Sequence, residues 1–188
     1  MRRYRMSVVI IFATFVIIGG TVVGCYPPSQ NVNAQHHGAP PPAAVLGDRK
    51  IVLDMQTEPK NVTLNDDVLM TIRFLDEGKD ANIQHVTFRI DISNDGKHIF
   101  SDFFHDHNGE VKLMFKDIGG SSSNPTIGGN QDVLTNAWIA DPGSPITIRG
   151  PIFNQSGTYN VGLELTTIDN DKTDLTEPLV YNSDVNVS

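Results

Sequence analysis

Apolar residues recur at every second position along four separate stretches of this 188-residue chain. Val68, Met70, Ile72 and Phe74 alternate with Leu69, Thr71, Arg73 and Leu75. The same rhythm sets Val86, Phe88, Ile90 and Ile92 against His85, Thr87, Arg89 and Asp91. Val111, Leu113 and Phe115 repeat it, as do Tyr159, Val161, Leu163 and Leu165. Side chains of a strand point to opposite faces in turn, so each stretch predicts a strand with one buried face. Further strands are expected over 50–55, 97–104, 146–153 and 179–187, and no segment after residue 48 carries a helical period. About eight short strands separated by turn residues predict an all-β, antiparallel β-sandwich of about 7–9 strands over residues 49–188.

Turn chemistry orders the strands. Asn94-Asp95-Gly96 is expected to reverse the chain between the strand ending at Ile92 and the one starting at Lys97. Asn108-Gly109 reads as a type I′ hairpin turn, whose two central positions need positive φ. That hairpin would set His107 opposite Glu110, His105 opposite Lys112 and Phe104 opposite Leu113. Residues 118–145 break the rhythm with Gly119-Gly120-Ser121-Ser122-Ser123 and Gly128-Gly129. The only tryptophan, Trp138, falls in this stretch. Trp138 reads either as the core plug of an edge strand, the favoured reading, or as the aromatic platform of a binding loop.

Several of these motifs together carry a resemblance. Ile83-Gln84-His85-Val86-Thr87-Phe88, the Asn94-Asp95-Gly96 turn, His105-Asp106-His107-Asn108-Gly109 and Gly157-Thr158-Tyr159 resemble secreted immunoglobulin-like domains common in archaea. The resemblance covers roughly residues 50–187. It implies an immunoglobulin-like sandwich, in which the Tyr159 hydroxyl would bond backbone at a strand corner. It brings no catalytic set with it.

The N-terminus reads as an address. Arg2, Arg3 and Arg5 precede an uncharged, strongly apolar run from Met6 to Gly24. A basic start followed by an apolar run is an export signal that leaves the arginines inside and the rest of the chain outside. Thr21-Val22-Val23-Gly24-Cys25 resembles a lipobox, which implies lipidation of Cys25 as the mature N-terminus. An uncleaved N-terminal hydrophobic helix is the alternative anchor, since the run is about long enough to span a bilayer. Residues 25–48, rich in Pro, Ala and Asn, read as a flexible linker, with His36-His37 as a solvated pair. The expected location is the cell surface, on the outer face of the cytoplasmic membrane.

Composition then removes whole classes of function. The chain carries 14 basic and 22 acidic residues, a net charge of −8. Loss of residues 1–24 would remove three arginines and no acid, taking −8 to −11. Such acidity argues against nucleic acid as a partner. The single cysteine, Cys25, excludes an internal disulfide, and it lies outside the domain, which excludes a blue-copper thiolate site. No nucleophile, phosphate-cradling or zinc-protease motif occurs, so a non-catalytic protein is expected.

The remaining local chemistry is histidine. His105 and His107 share one face of an extended strand, and two imidazoles beside a carboxylate suit Cu(II) or Zn(II). Glu110 is the expected third ligand. His85 and His98 would join only if the sheet brought them near, and parity sets His98 on the other face. Lys112 opposite His105 would weaken the site. The acidic groups Asp66-Asp67, Asp76-Glu77 and Asp169-Asn170-Asp171 with Asp174 read as solvated turns. Asn61, Asn154 and Asn186 head glycosylation sequons. The leading expectation is a membrane-tethered, non-catalytic surface domain that binds a cell-envelope protein or serves a structural role, with no resident cofactor beyond weak copper or zinc. The alternative is an extracytoplasmic copper- or zinc-binding protein using His105 and His107.

Overall fold

The computed structural model describes residues 44–46, 49–79, 81–117, 124–141, 143–169 and 173–188. The export signal, Cys25, His36-His37 and the serine run at 121–123 lie outside the described residues. Among the described residues thirteen strands form: β1 (Ala44–Leu46), β2 (Arg49–Glu58), β3 (Val68–Asp76), β4 (Ala81–Asn82), β5 (Val86–Asn94), β6 (Lys97–Asp106), β7 (Glu110–Lys116), β8 (Thr126–Gly128), β9 (Asn130–Gln131), β10 (Trp138–Ile139), β11 (Ile146–Arg149), β12 (Gly157–Ile168) and β13 (Thr173–Val187). No helix occurs among the described residues. Ala44–Leu46, read from composition as linker, pairs with β2 as a short strand.

The strands build two sheets. One runs β1-β2-β3-β7-β11-β8, with β4 also on β3; the other runs β13-β12-β5-β6-β10-β9. The alternating residues supply the core between them. Val68, Met70, Ile72, Phe74, Val86, Phe88, Ile90, Ile92, Tyr159, Val161, Leu163 and Leu165 have no exposed surface. Phe74 of the first sheet lies 5.2 Å from Phe88 and 6.1 Å from Tyr181 of the second, centroid to centroid. Phe100 and Phe115 make a further contact across the gap at 6.4 Å. The Tyr181 hydroxyl donates to the carbonyl of Ile51 in the opposite sheet at 3.0 Å, and burial pushes this phenol's pKa far above its ordinary value. These features are those of an all-β fold with its core between two sheets, consistent with a β-sandwich.

Both sheets are mixed, which corrects the purely antiparallel expectation. β11 runs parallel to β7, and β10 parallel to β6. Parallel neighbours need a long crossover, and the rhythm-breaking stretch 118–145 provides it between β7 and β11.

The two predicted turns separate in outcome. Asp95 (φ 49°) and Gly96 (φ 73°) take positive φ between the paired Asn94 and Lys97, which makes the expected two-residue hairpin of β5 and β6. Asn108-Gly109 does not join two strands of one sheet. It carries the chain from β6 in one sheet to β7 in the other. Gly109 has positive φ (73°), and Asn108 is not among the positive-φ residues, so the type I′ geometry does not form. The Asp106 carboxylate accepts the amides of Asn108 (2.6 Å) and Glu110 (3.2 Å), holding a side-chain-capped turn instead. His105 therefore pairs with Thr87, Phe104 with Phe88 and Lys112 with Thr71.

The Tyr159 hydroxyl donates to the carbonyl of Gln155 and accepts its amide, both at 3.1 Å, four residues upstream. The corner bond implied by Gly157-Thr158-Tyr159 is present. Leu163 is fully buried in β12. Leu163→Ala is expected to cost about 2–5 kcal/mol in denaturant unfolding, from lost burial and the cavity left behind. Tyr159→Phe is expected to cost less, about 1 kcal/mol, because one hydrogen bond goes while the ring still fills its place.

Candidate metal centre

Three histidines meet where β5 begins and β6 ends. His85, His105 and His107 each offer one ring nitrogen, and these atoms all lie within 4.8 Å of one another. The Nδ1 atoms of His85 and His107 are 3.0 Å apart. Nitrogens bound at about 2.0–2.1 Å to one tetrahedral ion stand about 3.3–3.5 Å apart, so this pair is already near ligand spacing. Ring centroids are separated by 4.9 Å for His105 and His107 and by 6.4 Å for His85 and His105.

Backbone geometry fixes each ring's origin. His107 follows directly on β6, and its carbonyl accepts the His85 amide at 3.1 Å. His85 itself takes positive φ (51°), uncommon for a residue with a side chain. Beside it, the amide of Asp169 donates to the Gln84 carbonyl at 3.0 Å, tying the segment to the end of β12. Val86, Phe88 and Phe104 face the core, so Thr87 and His105 stand on the other side of the sheet, yet both are buried there. The Thr87 hydroxyl lies 2.8 Å from His105 Nδ1. Thr87's carbonyl accepts the Thr166 hydroxyl at 2.9 Å, which anchors this residue from β12. Hydrogen bonds of this kind orient metal-bound imidazoles.

Gly109 makes the tight passage beside the cluster possible. A Cβ there would sit 2.0 Å from the carbonyl oxygen of Ile83, two residues before His85. Gly109→Ala is expected to destabilise the fold by more than about 1 kcal/mol, since it adds both this clash and a positive-φ penalty. Chemical denaturation checks the loss.

Among the sequence-predicted residues, the structure brings His105 and His107 together but supplies His85 as the third member. Glu110 belongs to β7 of the other sheet, and its carboxylate pairs with Lys112 at 3.1 Å. Lys112 no longer opposes His105, so the expected repulsion loses its basis. His98 lies at the far end of β6, 3.7 Å from Asp91. Trp138 is half-buried, packs against the core and pairs with Phe104 and Gln131. β10 lies between β6 and β9, so Trp138 is not on an edge strand as expected, although its side chain packs against the core. The exposed apolar side chains of that loop are Val133 and Leu134 (96% and 92% exposed). Asn61, Asn154 and Asn186 are exposed. Asp169 is bonded to Arg49 at 2.6 Å; Asn170 and Asp171 lie outside the described residues.

Asp132 organises the Trp138 loop. Its carboxylate accepts the amides of Thr135 (2.8 Å) and Leu134 (2.9 Å) and the Thr135 hydroxyl (3.1 Å). The Thr135 amide is the largest influence holding this carboxyl below its ordinary pKa; burial works against it, while the Leu134 amide, the Thr135 hydroxyl and the charge of His105 add to it. The folded value is depressed, so Asp132 contributes its full stabilisation above the unfolded value of about 3.9 and loses it as pH falls through the folded value. The Leu134 and Thr135 amide resonances should hold steady from neutral pH down to about 4 and shift only below it. Asp132→Asn should displace them at every pH.

Comparison with known proteins finds no matching family, no matching curated protein and no matching solved structure. No helix among the described residues is long and apolar enough to cross a membrane.

Proposed function

We propose that this chain is an extracytoplasmic copper- or zinc-binding protein built on an immunoglobulin-like sandwich and tethered at its N-terminus. The convergence of His85, His105 and His107 carries the reading. Imidazole nitrogen suits Cu(II) and Zn(II), and Cu(II) binds such a set more tightly in the general order of affinities. Thr87 holds His105 by a hydrogen bond at Nδ1. In the tautomer whose Nδ1–H donates to the Thr87 hydroxyl, Nε2 would be the nitrogen left to hold a metal ion. In the metal-free protein one proton lies between the Nδ1 atoms of His85 and His107, so one ring donates and the other accepts. Were both Nδ1 atoms to hold an ion, that proton would reside on Nε2 of its ring.

The ligands sit where the central strands β5 and β6 begin and end, on backbone fixed by the Asp106 turn. The tyrosine corner at Tyr159 and the two-sheet core support the immunoglobulin-like reading. The basic start, apolar run and Cys25 support a lipid tether on the outer face of the cytoplasmic membrane. Intact mass of the native protein should then show loss of residues 1–24 and a lipid on Cys25; an N-terminus at Met1 in the membrane fraction would replace the lipid with an uncleaved helix.

The metal reading is tested by calorimetric titration of the full chain carrying His36→Ala and His37→Ala, which removes the linker pair. One ion per chain is expected. His85→Ala should abolish tight binding as fully as His105→Ala or His107→Ala, whereas Glu110→Gln should leave it intact. Thr87→Val should weaken binding about 10–100-fold, and Thr87→Ser should restore most of it. Tight binding indifferent to His85, or no stoichiometric binding, would return the domain to a metal-free role in binding a cell-envelope partner.

A further inference from the structure

Three neutral imidazoles leave a divalent ion with its full charge and with one position of a tetrahedral set still to fill. Closed structural sites complete that set with protein donors, whereas open sites hold three protein ligands and leave the fourth position to water or another small ligand. The surroundings of the histidine cluster favour the second arrangement.

The carboxylates nearest in sequence or in charge to the cluster are already engaged. Asp106 caps the Asn108 and Glu110 amides through Oδ1. Glu110 pairs with Lys112 at 3.1 Å. Asp132 accepts three donors from Leu134 and Thr135. The Asp106 and Asp132 bonds all run through Oδ1 and hold the turn and loop around the cluster in place. Burial is uneven across the cluster. His105 is 5% exposed and its Thr87 partner 6%. His85 is half-buried and His107 exposed. The inner side of the site is therefore closed by protein, and its outer side meets solvent.

We infer that the loaded His85–His105–His107 centre binds a small anionic donor in its fourth position, from the solvent side marked by His107. This inference rests on the metal reading above. The ligand class follows from charge and access. No ligand of the three is anionic, so an incoming anion gains the full attraction of the ion. The partly wet approach admits a donor of a few atoms without rearrangement of the sheet. Such a centre exchanges its outer ligand, which suits the handing on of metal or the capture of a small anion better than a purely structural role.

The experiment uses the full chain with His36→Ala and His37→Ala, loaded with one Cu(II) and freed of excess metal by gel filtration. Electron paramagnetic resonance first establishes copper bound to imidazole nitrogen. A spectrum of aqueous or nonspecific copper would end the metal reading itself, before the fourth position is tested. Sodium azide is then titrated in. The expected result is a saturable azide-to-copper charge-transfer band, one anion per copper, with a matching change in the resonance spectrum. A nitrogen-ligated spectrum that azide leaves unchanged would overturn the inference, because a protein donor would then hold the fourth position. Glu110→Gln and Asp132→Asn should leave azide affinity nearly unchanged. A rise of about tenfold or more in either variant would identify a competing carboxylate and equally overturn it.

Discussion

The inward faces of the two sheets must interlock, and Phe74 is one of the side chains through which they do so. Its ring meets Phe88 and Tyr181 across the gap, and the chain buries Met70, Ile72, Ile90, Leu163 and Leu165 around the same layer. Burial of apolar surface is the main favourable term in folding. Each fully buried side chain of this size contributes on the order of 1.5–3 kcal/mol. Everything on the outer faces, the histidine cluster included, is positioned by strands whose other side is locked into this layer. A slip of one residue in any of them would turn its apolar set outward. The register that brings the histidines together is thus maintained by side chains that never touch them.

Two local departures from regular geometry convert that register into a site. The first is a bulge between β5 and β6. Ile92 pairs with Phe100 and Ser93 with His98, which leaves Ile99 as an extra residue. Without it, the hairpin at Asn94–Lys97 would run on to set His85 opposite Asp106. With it, Val86 pairs with Asp106, Thr87 faces His105, and His85 falls beside His107. The second departure is the turn capped by Asp106, with Gly109 pressed against Ile83. It ends β6 at the point where His107 is presented and sends the chain into the other sheet, taking Glu110 with it. One bulge gathers the third imidazole, and one turn removes the expected carboxylate.

Charge plays a supporting part at the same end of the molecule. Arg49 bonds Asp76 at 3.1 Å and Asp169 at 2.6 Å, joining β2 and β3 to the end of β12. Burial alone would push the Asp76 carboxyl up, but the bonds and charges of Lys79 and Arg49 bring it below its ordinary pKa. Asp169 also donates its amide to Gln84, next to His85. This chain of contacts connects an inter-sheet ion pair to the backbone that carries a candidate ligand. The partly exposed pairs themselves are worth little individually; their consequence is positional.

The sequence by itself determined the strands and their faces. Alternation is a property of one strand alone, so Val86 to Ile92 and Tyr159 to Leu165 disclosed their buried side without knowledge of their neighbours. It also determined the Asp95-Gly96 turn, through the tolerance of those residues for positive φ, and the shared face of His105 and His107; the Tyr159 corner was implied by the resemblance that Gly157-Thr158-Tyr159 carries. Only the tertiary structure decided which strands became neighbours. Asn108-Gly109 carries the same local signal as a hairpin, but Asp106 satisfies the backbone there in another way, and β7 buries its apolar face beside β3 instead of β6. His85 could become the third histidine only through the one-residue bulge at Ile99, which no local pattern marks. Strand partnership depends on burial and on connections distant in sequence, and so the histidine pair was legible while the cluster was not.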